Sequence, residues 1–435
     1  MDLDIDKLDL DAKYQLLLSK CEDELICFVC EEWCKSPVRI NKCGHYFCSD
    51  CIPKQERCCP KCQEVFLQDD IDKDNCFTDP KSFKRNAKGE SKLHLACKRK
   101  RFEEVKELIE EKVDINSRDY ACWTPLHEAV QVGSLEIIEE LLTNGALINS
   151  PGEFYVTPLH KAVIMENAKV IELLLQYGAE KESIDFHGRT PVDCTKRKDL
   201  LDIIANMETK KQLRKPQVFL KNRIIAYCHS IDEEYRDKFL ALKNCKIISD
   251  FDVKKSEITH LIVKKSHKVS FKILLCLISG VIIVQQDWVE DILNGSTKFL
   301  THPVLETFPE LSDGIRMGII NELLNKPKLF DGINFYLEGP DSVVDIYNLH
   351  ITKDFLRVLI SAGGGINLKR APAPRTIQEI KCFPYHATQA STVFGCNYII
   401  IFNDNHPPTL QYKMRELQHK SCKWLIDCVI NFKLS

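Results

Sequence analysis

Three cysteines and a histidine occur within nine residues, in the stretch CGHYFCSDC at 43–51. Such a group could form disulfides, a redox centre or a metal site. Eleven of the 21 cysteines lie between Cys21 and Cys76 rather than being spread over the 435 residues, and this clustering favours a metal over disulfides. The candidate ligands form four pairs, namely Cys27 and Cys30, Cys43 and His45, Cys48 and Cys51, and Cys59 and Cys62. Eight such ligands complete two closed tetrahedral sites with no position open for a catalytic water, so we expect two structural zinc ions.

The order of these ligands, with the only histidine fourth and the last pair in the sequence CPKC, resembles the RING finger. In that family the first and third pairs hold one zinc, and the second and fourth pairs hold the other. The resemblance assigns Cys27, Cys30, Cys48 and Cys51 to the first ion, and Cys43, His45, Cys59 and Cys62 to the second. A shift of one residue makes Cys58 an alternative to Cys59, but only Cys59 keeps the two-residue gap to Cys62. We expect Cys34 and Cys58 to be spare thiols.

The RING resemblance implies ubiquitin transfer without covalent chemistry, because RING domains orient a ubiquitin-conjugating enzyme and its thioester. Val29 and Pro60 occupy the positions that touch this enzyme in active members. Gln63 stands where active members have a basic residue that restrains ubiquitin. The missing cation favours a RING that supports a partner, with the conjugating enzyme contacted through that partner. We therefore expect an enzymatic role only within a RING-type ubiquitin ligase complex, with no catalytic residue in this chain.

Apolar residues upstream of the cysteine cluster recur at helical spacings of three and four and form one stripe: Leu10, Tyr14, Leu17, Cys21 and Leu25. A small zinc domain has little core of its own, so we expect this stripe to form a helical dimer interface with a second chain. The alternative is that the helix packs back on its own RING. We place the RING finger and its flanking dimerisation helices at 1–80.

A motif with a period of 33 residues follows the cysteine cluster. TPLH at 124–127 recurs at 157–160, SKLH precedes it at 91–94, and RTPV follows at 189–192. This period and motif are similar to ankyrin repeats, an all-α solenoid in which neighbouring repeats share a core. We place three full repeats and a truncated fourth at 89–207. Ankyrin repeats bind partners and do not catalyse.

Acidic residues and an aromatic residue are expected on the binding surface of these repeats: Glu90, Asp119, Trp123 and Glu128. Such a group could hold a lysine of a basic peptide by charge and ring contact, although Trp123 could instead pack between repeats. The order of domains in this chain is similar to that of a family of heterodimeric nuclear ubiquitin ligase subunits, and this resemblance implies that the four positions bind an unmethylated lysine of a histone tail. Two further polar positions of that pocket fall on Gln131 and Lys161, and Lys161 replaces an acid. A cation facing the target lysine should weaken its binding.

From about residue 216, short apolar segments alternate with helical ones, and a second copy of this pattern follows. The pattern predicts two α/β domains with parallel sheets, at 216–308 and 326–435. Trp288, Trp424 and the Gly363–Gly365 turn resemble tandem BRCT domains, which often bind phosphoserine peptides. Lys272 and Ser230 are the candidate phosphate-binding residues, but the usual hydroxyl position aligns best with Cys228. Lys272 could also be an ordinary surface lysine.

The chain as a whole is expected to be multidomain: a zinc cross-brace RING with flanking helices, an all-α ankyrin solenoid and two α/β BRCT domains with parallel sheets. The net charge of −3 conceals a basic stretch over 81–106, which suits chromatin or an acidic protein face. The acidic start lacks the order of a signal peptide, and no apolar stretch is long enough for a membrane helix, so we expect no membrane partner.

This order of domains is similar to a family of heterodimeric nuclear ubiquitin ligase subunits. That resemblance implies a RING–BRCT partner similar to the breast-cancer type 1 susceptibility protein, docking on nucleosomes and histones, and action in chromatin ubiquitination and homologous recombination. Phosphopeptides are further expected ligands of the BRCT pair. Two alternatives remain: a non-catalytic scaffold that uses its ankyrin and BRCT surfaces, and a self-sufficient homodimeric RING ligase, against which Gln63 argues.

Overall fold

The computed structural model describes residues 85–207 except residue 112, and most of the chain from 224 to 434. The described stretches in the latter part are 224–229, 231–240, 245–248, 251, 258–264, 268–293, 309–340, 343–377, 383–388, 390–408, 411–412 and 414–434. Among the first 84 residues it describes 9, 10, 37–40, 46–48, 51, 59, 71 and 72.

A small antiparallel sheet lies in the cysteine-rich region. Its strands are β1 (Pro37–Ile40), β2 (Tyr46–Cys48) and β3 (Ile71–Asp72), in the order β2-β1-β3. Val38 and Phe47 are opposite each other in register, and both are buried. This pair forms an apolar contact across β1 and β2, within the region of the predicted zinc ligands.

The region of the 33-residue motif is helical, as the sequence predicts. Its helices are α1 (Lys92–Lys98), α2 (Phe102–Glu110), α3 (Pro125–Val132), α4 (Leu135–Thr143), α5 (Pro158–Ile164), α6 (Ala168–Gln176) and α7 (Lys198–Asn206). Ser91, Thr124 and Thr157 are the N-caps of the first helix of each pair, and proline at the first helical position sets the backbone for α3 and α5. The apolar faces of successive helices bury one continuous core.

The first α/β unit contains four parallel strands. Its elements are β4 (Ile224–His229), α8 (Glu233–Leu240), β5 (Cys245–Ile247), β6 (His260–Val263), α9 (Phe271–Ile278), β7 (Ile282–Gln285) and α10 (Trp288–Leu293). The strand order is β5-β4-β6-β7. All residues of β6 and β7 are buried, as expected for strands covered on both faces.

The second α/β unit has the same sheet plan. It contains α11 (Ser312–Leu323), β8 (Asn334–Leu337), β9 (Val344–Ile346), β10 (Leu349–Ile351), α12 (Lys353–Ala362), β11 (Ile366–Asn367), β12 (Tyr398–Phe402), β13 (Leu417–Ser421) and α13 (Cys422–Asn431). The parallel sheet has the order β11-β8-β12-β13, and β9 and β10 form a separate hairpin. The prediction of two successive α/β units with parallel sheets is confirmed.

The predicted glycine turn joins α12 to β11, in the order helix then strand. Gly364 has a φ of +84°, which a residue with a side chain rarely adopts. The run of glycines therefore closes a turn, as the sequence predicts.

The two α/β units pack against each other through their helices. α9 of the first unit contacts α11, α12 and α13. The rings of Phe271 and Phe355 lie 4.0 Å apart across this interface. The two units thus share one hydrophobic core.

The helical repeats contact the second α/β unit. Arg118 donates to the backbone carbonyl of Asn325 at 3.0 Å, and the Asn325 side chain donates to the carbonyl of Asn116 at 3.0 Å. The rings of Tyr155 and Tyr385 pack edge to face with centroids 5.4 Å apart. These contacts join regions about 200 residues apart in sequence.

Candidate functional site

The Ser/Thr-x-x-His part of each repeat motif forms a local hydrogen-bonded unit. The three histidines are His94, His127 and His160, and each lies at the third helical position after its cap. In each unit the backbone N–H of the cap residue donates to Nδ1 of the histidine. Nε2 then donates to a backbone carbonyl 29 residues further along, at 3.0–3.1 Å. The motif therefore ties each repeat to the next and fixes the loops between them.

These loops and helix starts bring three carboxylates together. Ligand atoms of Glu90, Asp119 and Glu128 all lie within 4.8 Å of one another. Glu90 immediately precedes the cap of α1, Asp119 lies in the next loop, and Glu128 belongs to α3. Glu90 and Glu128 are 4% and 6% exposed. The structure thus assembles the three predicted acids into one group, which we call the acidic pocket.

Asp119 also has a structural role. Its Oδ1 accepts the backbone N–H groups of Ala121 and Trp123, at 2.9 and 2.8 Å. The backbone N–H of Asp119 donates to the carbonyl of Trp123. Asp119 therefore shapes the loop that presents Trp123 beside the acidic pocket.

A lysine of the chain itself contacts the acidic pocket. Nζ of Lys98, the last residue of α1, lies 2.8 Å from Glu90 and 3.9 Å from Glu128. Glu90 also accepts a hydrogen bond from the side chain of Asn86. Hydrogen bonds from Lys98 and then Asn86 hold the pKa of Glu90 below its usual value, and the bond to Glu90 raises the pKa of Lys98. Burial raises the pKa of Glu128, and the charge of Lys98 opposes that shift.

A second lysine covers the aromatic residue of the site. Nζ of Lys161 lies 4.7 Å from the ring centroid of Trp123, a cation–π distance. Trp123 also packs edge to face against the ring of His127, with the ring centroids 4.9 Å apart. Gln131, the other polar position of the expected pocket, is exposed. Trp123 therefore contacts the repeat core and a cation at once.

Carboxylate groups of this kind could also ligate a divalent cation. The ammonium group of Lys98 already supplies a positive charge to two of the three acids. The chemistry that this arrangement supports best is the binding of an ammonium group.

The candidate phosphate-binding lysine lies at the start of α9. Nζ of Lys272 donates to the hydroxyl of Tyr227 at 2.5 Å and lies 4.4 Å from the centroid of that ring. Phe251 is a second ring neighbour, at 5.5 Å. Cys228 is half-buried, and burial raises the pKa of its thiol to about 11. Ser230, the other candidate, lies outside the described residues.

Three of the eight predicted zinc ligands are within the described part of the chain. Cys48 ends β2, Cys51 follows it after two residues, and Cys59 is 0% exposed. The burial of Cys59 fits a closed structural site. The other five, Cys27, Cys30, Cys43, His45 and Cys62, lie outside the described residues.

One residue of the predicted dimerisation stripe is described. Leu10 is half-buried and packs against the shared core of the two α/β units. Tyr14, Leu17, Cys21 and Leu25 lie outside the described residues, so the helical stripe itself stays a prediction. None of the helices that the structure describes is long and apolar enough to cross a membrane.

The contact of Lys98 with the acidic pocket and the hydrogen bonds of the motif histidines were not predicted from the sequence. The spacing of His94, His127 and His160 at the repeat period was a usable signal for the histidines. No comparable signal marks Lys98, because it stands among other basic residues at 98–101.

Comparison with known proteins agrees with the helical repeats. The model of ankyrin repeats, in three copies, matches residues 62–152, and the model of a single ankyrin repeat matches residues 155–186. BRCA1-associated RING domain protein 1 of Homo sapiens is 30% identical over 275 residues, which are 59% of this chain and 33% of that protein. The protein of the same name from Mus musculus is 30% identical over 270 residues, 58% of this chain and 33% of that protein. The chain spans about a third of the length of these curated relatives. The chain thus contains ankyrin repeats and is similar to BRCA1-associated RING domain protein 1.

Proposed function

We propose that this chain is a subunit of a heterodimeric RING-type ubiquitin ligase that docks on nucleosomes. In this role it would support histone ubiquitination and the repair of DNA double-strand breaks by homologous recombination, in the nucleus. The observation that supports the proposal most strongly is the presence, in one chain, of the RING-like ligand order, ankyrin repeats and two packed parallel α/β units of one sheet order. The relatives are named for a RING domain and an association with BRCA1, and this also supports the proposal.

The proposed zinc centres are structural. When bound, zinc would supply only the crosslinks that fold a cysteine-rich segment too short for a core of its own. Cys48, Cys51 and Cys59, with the five ligands outside the described residues, would hold the two ions. The folded RING would then dimerise with a partner RING, which binds the ubiquitin-conjugating enzyme.

Catalysis in this proposal is orientation rather than covalent chemistry. Burial raises the pKa of several thiols in the repeats and the α/β units, namely Cys97, Cys228, Cys276, Cys396 and Cys422. A raised pKa suppresses the thiolate, which is the nucleophilic form of cysteine. These thiols therefore suit structural positions, and Gln63 suits a RING that supports an active partner.

The acidic pocket and Trp123 are proposed to contact a lysine of a histone tail. The pocket offers buried carboxylates to an ammonium group, and the Trp123 ring offers a cation–π surface. Lys272 is proposed as a phosphate-binding residue of the α/β pair. Its Tyr227 contacts hold the ammonium group at the start of α9.

The decisive experiment is to co-express the full chain with candidate RING–BRCT partners and to measure co-elution and nucleosome ubiquitination. We expect a stable heterodimer and transfer that requires both chains. The proposal is wrong if no such partner forms a stable complex with the zinc-loaded chain.

Zinc content gives a matched control for this experiment. Cys62→Ala should lose metal and partner binding, because it removes one ligand of a four-ligand site. Cys58→Ala removes a neighbouring thiol and should retain two zinc ions per chain, together with partner binding. Elemental analysis measures the zinc content of both variants. Equal zinc content in Cys62→Ala and Cys58→Ala would contradict the ligand assignment.

The second candidate function is a non-catalytic scaffold that tethers partners to chromatin. One observation favours it: Gln63 stands where active RING domains have a positive charge. A scaffold predicts partner and nucleosome binding with no ubiquitin transfer by any pair of conjugating enzyme and RING partner. Binding and transfer, measured on the same heterodimer, separate the two functions.

A further inference from the structure

The acidic pocket holds a cation from its own chain. The Lys98 ammonium group is 2.8 Å from one carboxylate and 3.9 Å from another. The side chains of Glu90 and Glu128 are only 5% and 8% exposed, whereas that of Lys98 is 42% exposed. The acids are thus fixed and largely shielded, and the lysine reaches them from the solvent side. Buried carboxylates need a compensating charge, and Lys98 provides it.

The position of Lys98 allows it to leave. It is the last residue of α1, and its neighbours Arg99 and Lys100 are exposed. A partly exposed lysine stem can rotate into water, where its ammonium group is well hydrated, provided that an incoming ammonium group supplies the compensating charge in its place. The contact is therefore a reversible occupant of the pocket rather than part of the repeat core.

We propose that Lys98 is an internal ligand of the acidic pocket, so that a lysine from another protein binds there only by displacing it. The proposal rests on the proposed function of this pocket as a site for a histone lysine, and it adds the residue that controls access. Lys161, over the ring of Trp123, occupies the aromatic side of the same site.

Competition sets the size of the effect. A second ammonium group beside Lys98 would meet like-charge repulsion and would compete for the same oxygens of Glu90 and Glu128, so Lys98 and an external lysine exclude each other from these two carboxylates. The apparent dissociation constant of an external ligand equals its intrinsic value divided by the fraction of molecules with an open pocket. If the internal contact leaves about one molecule in ten open, binding is weakened about tenfold.

The first test measures binding of a histone-tail peptide with one unmodified lysine to the full chain. Lys98→Met keeps the apolar stem but removes the charge, and should tighten binding about tenfold. Lys98→Arg retains a cation and should bind like the wild type. Lys100→Met is the matched control, because it removes an exposed charge two residues away and should leave affinity unchanged to within about twofold.

The same peptide with a trimethylated lysine tests whether the gain arises in the pocket. Trimethylation removes the N–H groups that would donate hydrogen bonds to the carboxylates. Lys98→Met should therefore give no gain in affinity for the trimethylated peptide. Equal binding of the unmodified peptide by wild type and Lys98→Met, with binding abolished by Glu90→Gln, would overturn the proposal while leaving the histone-lysine function intact.

The second test needs no external ligand. Brief labelling of lysines with acetic anhydride, followed by mass spectrometry, compares the reactivity of Lys98 and Lys100 in the folded chain. The paired ammonium group of Lys98 should react about tenfold more slowly than that of Lys100, and Glu90→Gln should remove most of the difference. Equal reactivity in the wild type would overturn the proposal. If no form of the chain binds the peptide but the labelling difference is found, the histone-lysine function fails and the internal contact stands.

Discussion

At the scale of single residues, the motif histidines show how a repeat signature acts physically. Nδ1 of His127 accepts the backbone N–H of Thr124, and Nε2 donates to the carbonyl of Val156. Both roles together require a neutral imidazole. Burial lowers the pKa of His127 to about 3, and it also lowers the pKa of His94 and His160. The repeat stack therefore depends on histidines that stay unprotonated.

We predict that the repeats lose stability on mild acidification. A histidine whose pKa falls on folding contributes stability that is fully present above its ordinary pKa of 6.5 and is lost as the pH falls toward its folded value, about 3 for His127. The melting temperature of the repeats should therefore fall as the pH is lowered from about 6.5 to 3. His127→Gln should destabilise the repeats at pH 7 by about 1–3 kcal/mol and make this dependence shallower. The exposed His406 serves as the control, and a His406→Gln variant with the same flattening would contradict the assignment.

At the scale of elements, α11 determines how the two α/β units meet. A Cβ atom added at Gly314 would lie 1.9 Å from the carbonyl oxygen of Ile430, and one at Gly318 would lie 2.2 Å from that of Leu277. Ile430 belongs to α13 and Leu277 to α9, so these two glycines face different units. Their spacing of four residues puts them near one another on the helix surface, where both neighbours approach the backbone closely.

We predict that Gly318→Ala destabilises the paired units. In an isolated helix this substitution would stabilise by roughly 0.5–1 kcal/mol, because alanine is the better helix former. Here the new methyl group meets a backbone oxygen that cannot move alone, and overpacking of this kind costs about 1–3 kcal/mol or more. Thermal unfolding should show a lower melting temperature. Asp313→Ala on the exposed face of α11 is the control, and a rise in the melting temperature of Gly318→Ala would show that the backbones separate freely.

At the scale of the whole molecule, the repeats and the second α/β unit pack against each other. The backbone N–H of Phe383 donates to the carbonyl of Phe186 at 2.8 Å, which adds to the Arg118 and Asn325 hydrogen bonds. Asp331 lies in this contact, and burial raises the pKa of its carboxyl group. Polar and aromatic contacts together thus fix the acidic pocket and the α/β pair on one body, so that a single partner could meet both.

We predict that Arg118→Ala combined with Tyr385→Ala separates these two parts. The double variant loses the guanidinium hydrogen bond to Asn325 and the ring contact with Tyr155. Small-angle X-ray scattering should then give a larger radius of gyration, while far-ultraviolet circular dichroism stays unchanged. The exposed Arg99→Ala is the control for loss of charge. Identical scattering curves for the double variant and the wild type would show that these contacts do not hold the parts together.

The sequence by itself determined the local patterns. The period of 33 residues predicted the helical repeats, and short apolar segments alternating with helical ones predicted two parallel α/β units, because both signals can be read from the order of residues along the chain. It also nominated Glu90, Asp119, Trp123 and Glu128 as one group, through the positions they occupy in successive repeats. The zinc assignment stays a prediction from the ligand spacing and the RING resemblance.

Only the tertiary structure decided which groups meet across the chain. Lys98 contacts Glu90 and Glu128 because the end of α1 lies beside α3, and no spacing rule distinguishes it from Arg99 or Lys100. The contact of Arg118 with Asn325 likewise joins surfaces that no local pattern links. Secondary structure follows from interactions between residues a few positions apart, whereas pocket occupancy and interdomain packing depend on long-range placement of side chains.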